Sequence, residues 1–375
     1  MKYAILILLA LGLFACDKDN EENNEEDKEE SVVLPTDTSS FYFPPLNSDE
    51  WETTSPEELG WNSSELEGLL TYLEENNTRA FIVLKEGKMV IEAYFGNNIL
   101  GTSPFDQNTL WYWASAGKTL TATLVGIAQQ EGLLDIDHPT SDYLGEGWTS
   151  LSADKEELIT VKNQLSMTTG LDYNVTDLDC TLPSCLNYKT DAGQQWYYHN
   201  APYTLLTEVV EQAAAMDYNE YTEQKLTSLI GMDGQWVVQD YNHVYWSTAR
   251  AMSRFGLLIL NKGKWDDTEV LADTAYYEQM VNTSQSFNLS YGYLWWLNGK
   301  ASIMFPSLAY SLNMSLSENA PSDLFAGMGK NGQFVEIIPS QQLVVVRMGE
   351  APDDSLVPIA FHNEMWEKIN QVIND

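Results

Sequence analysis

Three short motifs, in one order along the chain, could supply a serine nucleophile and the groups that activate it. They are Ser115–Lys118 (Ser-Ala-Gly-Lys), Tyr198–Asn200 (Tyr-His-Asn) and Lys330–Gly332 (Lys-Asn-Gly). A serine hydroxyl is a poor nucleophile without an adjacent base, and a lysine three residues further along a helix lies on the same face. Burial can lower the pKa of that lysine towards neutrality. The set therefore predicts serine-based hydrolysis activated by lysine and tyrosine instead of histidine.

Each motif alone is weak evidence for an active site. Ser152–Lys155 is also Ser-x-x-Lys and Lys85–Gly87 is also Lys-x-Gly, whereas Tyr-x-Asn occurs only at residues 198–200. Ser152–Lys155, here called the decoy motif, lies in a polar, charged stretch that is typical of a solvated loop entering a helix. Ser115 instead precedes an apolar run at helical spacing, 119–128, which predicts a buried helix. A serine at the start of such a helix is close to free N–H groups and the positive end of the helix dipole.

The remaining motif residues have expected roles around this nucleophile. Tyr198 would relay a proton, as hydroxyl or phenolate, and protonate the leaving group. Asn200 would orient Lys118 or bind a substrate amide, and Lys330 would add positive charge near the substrate. Stabilisation of the oxyanion needs two backbone donors. We expect these to be the N–H groups of Ser115 and of Gln333, which follows Gly332 and begins a strand.

Taken singly, the same residues have ordinary structural explanations. Ser115 could be a helix cap, Lys118 a surface lysine, and Lys330 a turn residue. Tyr198 lies in the aromatic cluster 196–198 and could belong to the core. The functional interpretation depends on all of them occurring together, in order, at the boundaries of predicted elements.

Composition restricts the possible partners. The chain has 375 residues, 44% apolar content and twelve tryptophans, which is typical of a globular enzyme. Its formal net charge of −36 argues against nucleic acid, because phosphates would be repelled. The four histidines are scattered without metal-ligand spacing, so we expect no metal and no cofactor.

The N-terminus reads as a targeting segment. Lys2 provides a positive charge, and Ala4–Phe14 is an apolar stretch too short to span a membrane. Residues 13–16 (Leu-Phe-Ala-Cys) resemble a bacterial lipobox, which predicts a lipoprotein signal over residues 1–16 and lipidation of Cys16. An ordinary secretory signal is the alternative. Residues 17–50 begin with an acidic, low-complexity run and predict a disordered tether.

The expected location follows from that segment. An acidic run after the lipidated cysteine resembles surface-export signals of Bacteroidetes lipoproteins, so we expect a cell-envelope lipoprotein, periplasmic or on the outer-membrane surface, attached through its lipid only. In such an oxidising compartment Cys180 and Cys185, with Pro183 between them, would form a small loop-closing disulfide. Two buried thiols are the alternative.

The element pattern predicts an α+β fold, an α/β sandwich in which an antiparallel sheet built from both termini is flanked by helices. A helix capped by Ser63 and Ser64, hairpins over 81–95 and 333–348, a strand over 291–297 and a closing helix over 358–372 are expected. Helices are predicted at 115–130, 201–215, 218–229 and 247–260. The sheet domain would comprise 51–114 and 286–375, and a mostly helical domain, 115–285, would be inserted with Ser115 at the junction, where clefts commonly form.

With these motifs in place, the chain resembles the serine β-lactamase-like superfamily, on the branch of class C β-lactamases, DD-peptidases, family VIII carboxylesterases and 6-aminohexanoate-oligomer hydrolases. The resemblance extends over roughly residues 55–372 and includes the segments 165–171 (LSMTTGL), 196–203 (WYYHNAPY), 247–256 (STARAMSRFG) and 291–296 (YGYLWW). It implies the sheet-plus-helical-domain fold and a catalytic set of Ser115, Lys118 and Tyr198. Asn331 stands where β-lactamases carry threonine, which weighs against strong β-lactam turnover.

The resulting expectation is hydrolysis of a small-molecule ester, amide or peptide through an acyl-enzyme on Ser115. A peptidoglycan DD-peptidase or a β-lactamase is the second possibility. Two non-enzymatic alternatives are a lipoprotein that binds penicillin or cell-wall peptide without turnover and a purely structural envelope lipoprotein. The loops 171–189 and 301–322 would line the cleft and select the substrate.

Overall fold

The computed structural model describes residues 41–373, which belong to one compact unit. The predicted signal peptide with Cys16 and residues 17–40 of the predicted tether lie outside the described residues. No helix between residues 41 and 373 combines the length and the apolar character needed to cross a membrane. The proposed domain boundaries stay a prediction.

The strands of the described region form three sheets. They are β1 (Thr78–Lys85), β2 (Lys88–Tyr94), β3 (Trp111–Tyr112), β4 (Gln235–Gln239), β5 (Asn242–Ser247), β6 (Lys264–Trp265), β7 (Thr268–Glu269), β8 (Trp296–Leu297), β9 (Phe325–Gly329), β10 (Gln333–Ile338) and β11 (Leu343–Gly349). The α-helices are α1 (Leu66–Glu75), α2 (Lys118–Gln130), α3 (Ser141–Leu144), α4 (Ala153–Glu156), α5 (Val161–Leu165), α6 (Asn200–Ala214), α7 (Tyr218–Thr222), α8 (Ser228–Ile230), α9 (Ala249–Leu260), α10 (Thr274–Met280) and α11 (Ile359–Ile373).

The main sheet has six strands in the order β2-β1-β11-β10-β9-β8, and every pair in it is antiparallel. Both ends of the described chain contribute strands, and β1 pairs with β11 over almost its whole length. This confirms the α+β prediction of an antiparallel sheet built from both termini.

Helices cover both faces of this sheet, and β10 shows how its sequence serves each layer. Alternate residues of a strand point to opposite faces. Val335 and Ile337 contact Gly256 of α9, where a Cβ would lie 3.3 Å and 3.5 Å from them. Phe334 and Glu336 point the other way, towards His362 of α11. The strand is therefore buried on both sides, which explains its nearly continuous apolar run.

A second sheet has the order β3-β5-β4, and two of its strands, β4 and β5, lie within the region predicted to be mostly helical. The sequence prediction missed it and began the following helix at Ser247. In the structure Ser247 ends β5, and the hydroxyl of Thr248 caps α9 by accepting from the Ala251 N–H. The expected helix over 218–229 is also interrupted, by a π-helical turn at Glu223–Thr227.

Two other local predictions were wrong. Asn62, and not the serines themselves, caps the 3-10 turn Ser63–Glu65 that leads into α1, and its Oδ1 accepts from the Ser64 N–H. The expected strand over 291–297 is a tight turn in which Leu294 has φ of +63° and the Gly292 N–H donates to the Trp295 carbonyl. Only residues 296–297 join the sheet. The prediction failed because an aromatic composition typical of a strand does not reveal a reversal of the chain.

Residues 41–50 form a segment, here called the strap, that is held against the body of the protein. The buried Arg254 of α9 donates to the carbonyls of Pro44, Pro45, Ser48 and Ile230 at 2.8–3.3 Å. The last ten residues of the predicted tether, 41–50, are thus held by hydrogen bonds to α9, and the remainder of the tether stays a prediction.

Candidate active site

The nucleophile motif lies on a short 3-10 turn, Ala114–Gly117, between β3 and α2. The second sheet fixes the approach to this turn: the Trp113 N–H donates to the Tyr245 carbonyl at 2.9 Å, and the Trp113 indole donates to the Ser247 hydroxyl at 2.7 Å. Ala114 has φ of +46°, a strained value for a residue with a Cβ. The surrounding contacts therefore hold the residue before Ser115 in a conformation that it would not adopt freely.

The glycines of β9 allow the turn to lie directly on the main sheet. A Cβ at Gly329 would lie 2.5 Å from the Trp113 carbonyl oxygen, 2.9 Å from the Ala116 nitrogen and 3.1 Å from the Ser115 nitrogen. Any larger residue would displace the backbone that carries Ser115. This close approach places Ser115 where β9 leads into the third motif.

Lys118 is the group placed to act as base. Its Nζ lies 3.0 Å from Ser115 Oγ, and its side chain is buried under the rings of Tyr198 and Tyr203, with Nζ 5.1 Å and 4.1 Å from their centroids. Burial lowers the pKa of Lys118 from 10.5 to about 7, and the charge of Asp179 opposes this shift in part. Near neutral pH a large fraction of this lysine is therefore an uncharged amine, able to accept the serine proton.

Tyr198 combines a core position with a place in the cleft. Its ring stacks on Trp296 with centroids 5.8 Å apart and meets Tyr291 edge to face at 6.2 Å. Burial raises the pKa of the Tyr198 phenol, and the Ser115 hydroxyl acts in the opposite direction. The side chain thus keeps its proton in the resting site, which favours the hydroxyl form of the relay over the phenolate.

Asn200 is the first residue of α6 and faces a partner that sequence reasoning missed. Its Nδ2 donates to Asp179 Oδ1 at 2.7 Å, while its Oδ1 is buried with no hydrogen-bond partner among the described residues. Asp179 follows Leu178, whose carbonyl accepts from the Ala201 N–H at 2.9 Å. The sequence pointed to Asp179 only through its position directly before Cys180, because a disulfide that begins at Cys180 restricts the conformation of the residue beside it.

The third motif is shaped by its backbone. Asn331 and Gly332 have φ of +66° and +75°, and their carbonyls accept from Arg347 Nη1 at 2.8 Å and 2.9 Å. A Cβ at Gly332 would lie 2.6 Å from that Nη1, so only glycine fits. Lys330 is exposed at the cleft, and the Asn331 amide donates to the Tyr112 hydroxyl at 2.7 Å.

Gln333 is fully buried, and its side chain supports the motif from behind. Its Nε2 donates to the Gly349 carbonyl at 2.6 Å, and its Oε1 accepts from the Gly349 N–H at 3.0 Å. The side chain therefore has a structural role, and any part in oxyanion binding belongs to the backbone. Neither Gly332 nor Gln333 lines the cavity. The residues of the predicted site that line it are Ser115, Lys118, Tyr198, Asn200 and Lys330.

These five residues share a cavity of about 460 Å³. The expected loops supply part of its wall, through Leu178 and Asp179 and through Pro306 and Ser307. The prediction missed two further contributors, the tip of the β4–β5 hairpin and the segment before α11. They add Gln239, Asp240, Asn242, His243, Val244, Leu356 and Val357. The lining of the cavity thus combines apolar side chains with hydrogen-bonding groups.

The decoy motif lies elsewhere. Lys155 donates to Asp191 at 2.7 Å, and neither Ser152 nor Lys155 lines the cavity. Cys180 and Cys185 are joined by a disulfide that closes a small ring beside Asp179. Across residues 41–373, no group of three or more His, Cys, Asp or Glu side chains converges in a way that could hold a metal ion.

The fold is that of the β-lactamase/transpeptidase-like hydrolases. The family model described as Beta-lactamase matches residues 75–355, three quarters of the chain, so this protein belongs to the beta-lactamase family. The resemblance inferred from the motifs is thereby confirmed.

Individual relatives are distant. A 6-aminohexanoate-dimer hydrolase of Paenarthrobacter ureafaciens is 22% identical over 312 residues, covering 75% of this chain and 74% of the relative. A Bacillus anthracis structure described as a 6-aminohexanoate-dimer hydrolase aligns with a TM-score of 0.65 at 18% identity, covering 87% of this chain and 88% of the other. A family VIII carboxylesterase structure aligns with a TM-score of 0.62 at 15% identity, covering 81% and 96%.

Proposed function

We propose that this protein is an active-site-serine hydrolase that cleaves an ester or amide through an acyl-enzyme on Ser115. The observation that carries the proposal is the pair of Lys118 and Ser115, 3.0 Å apart, with the pKa of the buried lysine lowered to about 7. A nucleophile and a base within hydrogen-bond distance, with the base poised near the working pH, are what this chemistry needs.

The first step would form the acyl-enzyme. Ser115 Oγ attacks the substrate carbonyl carbon while its proton moves to the neutral Nζ of Lys118. The negative charge that develops on the carbonyl oxygen would be stabilised by the backbone N–H groups of Ser115, on the nucleophile turn, and of Gln333, at the start of β10. Lys330, exposed at the cleft, would add positive charge.

The next step would release the leaving group. Because burial raises the pKa of the Tyr198 phenol, its hydroxyl is present as a proton donor. It would protonate the departing alkoxide or amine and recover the proton from Lys118. Water then attacks the acyl-enzyme by the reverse proton path, releasing the acid and restoring Ser115.

Two relatives support the class of substrate. Their names, 6-aminohexanoate-dimer hydrolase and family VIII carboxylesterase, denote amide and ester cleavage. The apolar residues that line the cavity, such as Val244 and Leu356, suit the apolar part of a small acyl or alkyl group. We therefore rank a small ester or oligo-amide above a cell-wall peptide or a β-lactam.

The direct test is intact-protein mass spectrometry of the chain beginning at residue 17 after incubation with an uncharged fluorophosphonate. We expect one adduct on the wild type, none on Ser115→Ala, and one on the decoy variant Ser152→Ala. Labelling of Ser115→Ala but not Ser152→Ala would show that the motif was assigned wrongly. A folded wild type without any adduct would favour a binding protein over an enzyme.

A second measurement separates the enzymatic alternatives. Steady-state turnover of a p-nitrophenyl ester should exceed that of a cephalosporin, since Asn331 donates its amide to Tyr112 and is not free to bind substrate. Turnover of the cephalosporin with ester hydrolysis absent would favour a β-lactamase or a DD-peptidase.

We also propose that the protein is an envelope lipoprotein, lipidated at Cys16 and facing the periplasm or the outer surface. The lipobox-like residues 13–16 and the acidic run after them support this. Expressed in a Gram-negative bacterium, the wild type should partition with membranes and gain the mass of a lipid at Cys16, and Cys16→Ala should not. Equal recovery of both forms in the soluble fraction would exclude the anchor.

A further inference from the structure

One carboxylate reaches the catalytic groups from outside the three motifs. Asp179 lines the cavity, and its Oδ1 accepts the Nδ2 of Asn200 at 2.7 Å. No arginine, lysine or histidine among the described residues forms a salt bridge with it. A half-buried carboxylate beside a buried lysine, with no other cation to satisfy it, has its charge available to that lysine.

The loop that carries Asp179 is anchored at several points. The Leu178 carbonyl accepts from the Ala201 N–H, which ties the residue before it to the first turn of α6. The Asp179 N–H donates to Asp177 Oδ1, and the disulfide from Cys180 to Cys185 closes the chain immediately after it. The carboxylate is therefore presented at the start of α6, a favourable place for an anion.

The hydrogen bond to Asp179 also fixes the orientation of the Asn200 amide. A carboxylate only accepts, so it binds the Nδ2 end and leaves Oδ1 free. That Oδ1 is buried and has no partner among residues 41–373. Asn200, which lines the cavity together with Lys118, thus keeps an unused acceptor, and Lys118 becomes a charged donor once Ser115 has given up its proton.

We infer that Asp179 is a positioning residue for the proposed acylation of Ser115: it supplies the negative charge that favours protonation of Lys118, and it holds the Asn200 amide in the orientation that leaves its oxygen unpaired. The inference rests on the proposed function. The other groups that face Lys118 are the hydroxyl of Ser115 and the rings of Tyr198 and Tyr203. The cavity lining also includes the exposed cation Lys330 and, on the β4–β5 hairpin, Asp240 and His243. The imidazole of His199 also interacts with the charge of Asp179, but burial lowers the pKa of His199 to about 4, so it is neutral at pH 5.5 and above.

Two variants separate the two effects. Asp179→Asn removes the charge but keeps an oxygen that can accept from Asn200, whereas Asp179→Ala removes both. The charge of Asp179 raises the pKa of Lys118 against the lowering caused by burial, so its loss should lower that pKa further. More neutral amine would then be present at acidic pH, and acylation there would become faster.

The matched control is Asp172→Asn. Asp172 belongs to the same loop and has the same charge, but it pairs with Lys189 at 3.1 Å and does not line the cavity. A general loosening of the loop, or a general change in net charge, should affect this variant as much as Asp179→Asn. A specific effect on Lys118 should not.

The experiment measures the rate of Ser115 labelling by an uncharged fluorophosphonate at pH 5.5 and pH 9 in the full chain and its variants. For Asp179→Asn we expect the ratio of the rate at pH 5.5 to that at pH 9 to rise about threefold, with the rate at pH 9 kept. For Asp179→Ala we expect the same rise in the ratio and a fall of about tenfold at pH 9, since Asn200 is freed. Asp172→Asn should match the wild type.

An unchanged ratio in Asp179→Asn, or an equal rise in Asp172→Asn, would overturn the electrostatic part of the inference. A rate at pH 9 in Asp179→Ala equal to that of Asp179→Asn would overturn the positioning part. If the folded wild type is not labelled at any pH, the proposed function itself fails. The two failures are therefore distinguishable.

Discussion

The lowered pKa of Lys118 makes the acylation of Ser115 depend on pH in a way that an ordinary lysine could not produce. Burial moves this pKa from 10.5 to about 7, which corresponds to about 5 kcal/mol against the ammonium form. Only the neutral amine can take the serine proton. Acylation should therefore rise as the pH passes through about 7 and then level off.

The expected size of the effect follows from the neutral fraction. With a pKa of about 7, roughly 10% of Lys118 is neutral at pH 6 and roughly 90% at pH 8, so the rate rises about tenfold and then stays constant to pH 10. A lysine near its ordinary pKa would give about a hundredfold rise between pH 6 and 8 and about seventyfold more between pH 8 and 10. The ratio of rates at pH 10 and pH 8 thus decides between them.

The assay is the rate of labelling of Ser115 by an uncharged fluorophosphonate from pH 5 to 10, read by intact mass. An uncharged probe does not itself titrate, and tryptophan fluorescence at each pH shows whether the fold persists. Lys118→Arg keeps a permanent positive charge and should abolish labelling at every pH. A wild-type rate that still climbs tenfold per pH unit above pH 8 would refute the reasoning, since Lys118 would then titrate as an exposed lysine.

Three further outcomes follow from the same geometry. Lys118→Met should abolish labelling yet raise the free energy of unfolding in urea by about 2–4 kcal/mol at pH 7, because it removes a buried amine. This gain in stability should be largest below pH 7 and should vanish as the pH rises through about 10.4. An unchanged urea midpoint would contradict the prediction. Gly329→Ala should slow labelling at least about tenfold and cost about 1–3 kcal/mol, since its Cβ meets the Trp113 carbonyl; normal kinetics would mean that the turn can move away from β9. Gln333→Ala should cost about 1–3 kcal/mol, because the Gly349 N–H would lose the Gln333 Oε1 acceptor and the Gly349 carbonyl would keep only the Trp111 indole as a side-chain donor. The measurement is thermal unfolding beside the exposed control Gln239→Ala, which should unfold like the wild type.

Much of the architecture could be predicted because its signals are local. The apolar run 119–128 indicates the buried helix α2, and the Gly-containing turn at 85–88 indicates the β1–β2 hairpin. The short turn at Pro339 likewise separates β10 from β11. In each case a few adjacent residues carry the pattern, so no knowledge of distant contacts is needed. The roles assigned to the motif residues stay predictions, although the structure gathers five of their side chains at one cavity.

The missed features depend on contacts between distant segments. Asp179 approaches Asn200 across a loop, and Arg347 supports the third motif from the far end of β11. Neither residue belongs to a motif, and each would pass as an ordinary loop acid or strand cation. The turn at 291–296 escaped for another reason, since Leu294 adopts a positive φ that its residue type does not advertise.

The strap bound by Arg254 has a consequence for how the protein tolerates change. Within residues 41–373, the guanidinium contacts main-chain carbonyls and no carboxylate, so substitutions of the side chains at 46–49 leave the attachment intact and added salt weakens it little. Removing the segment is different, because the buried cation, whose pKa burial lowers to about 10, would lose acceptors that no side chain replaces. The strap is thus bound through its backbone, and a chain shortened to begin at Trp51 should be less stable than one beginning at Phe41.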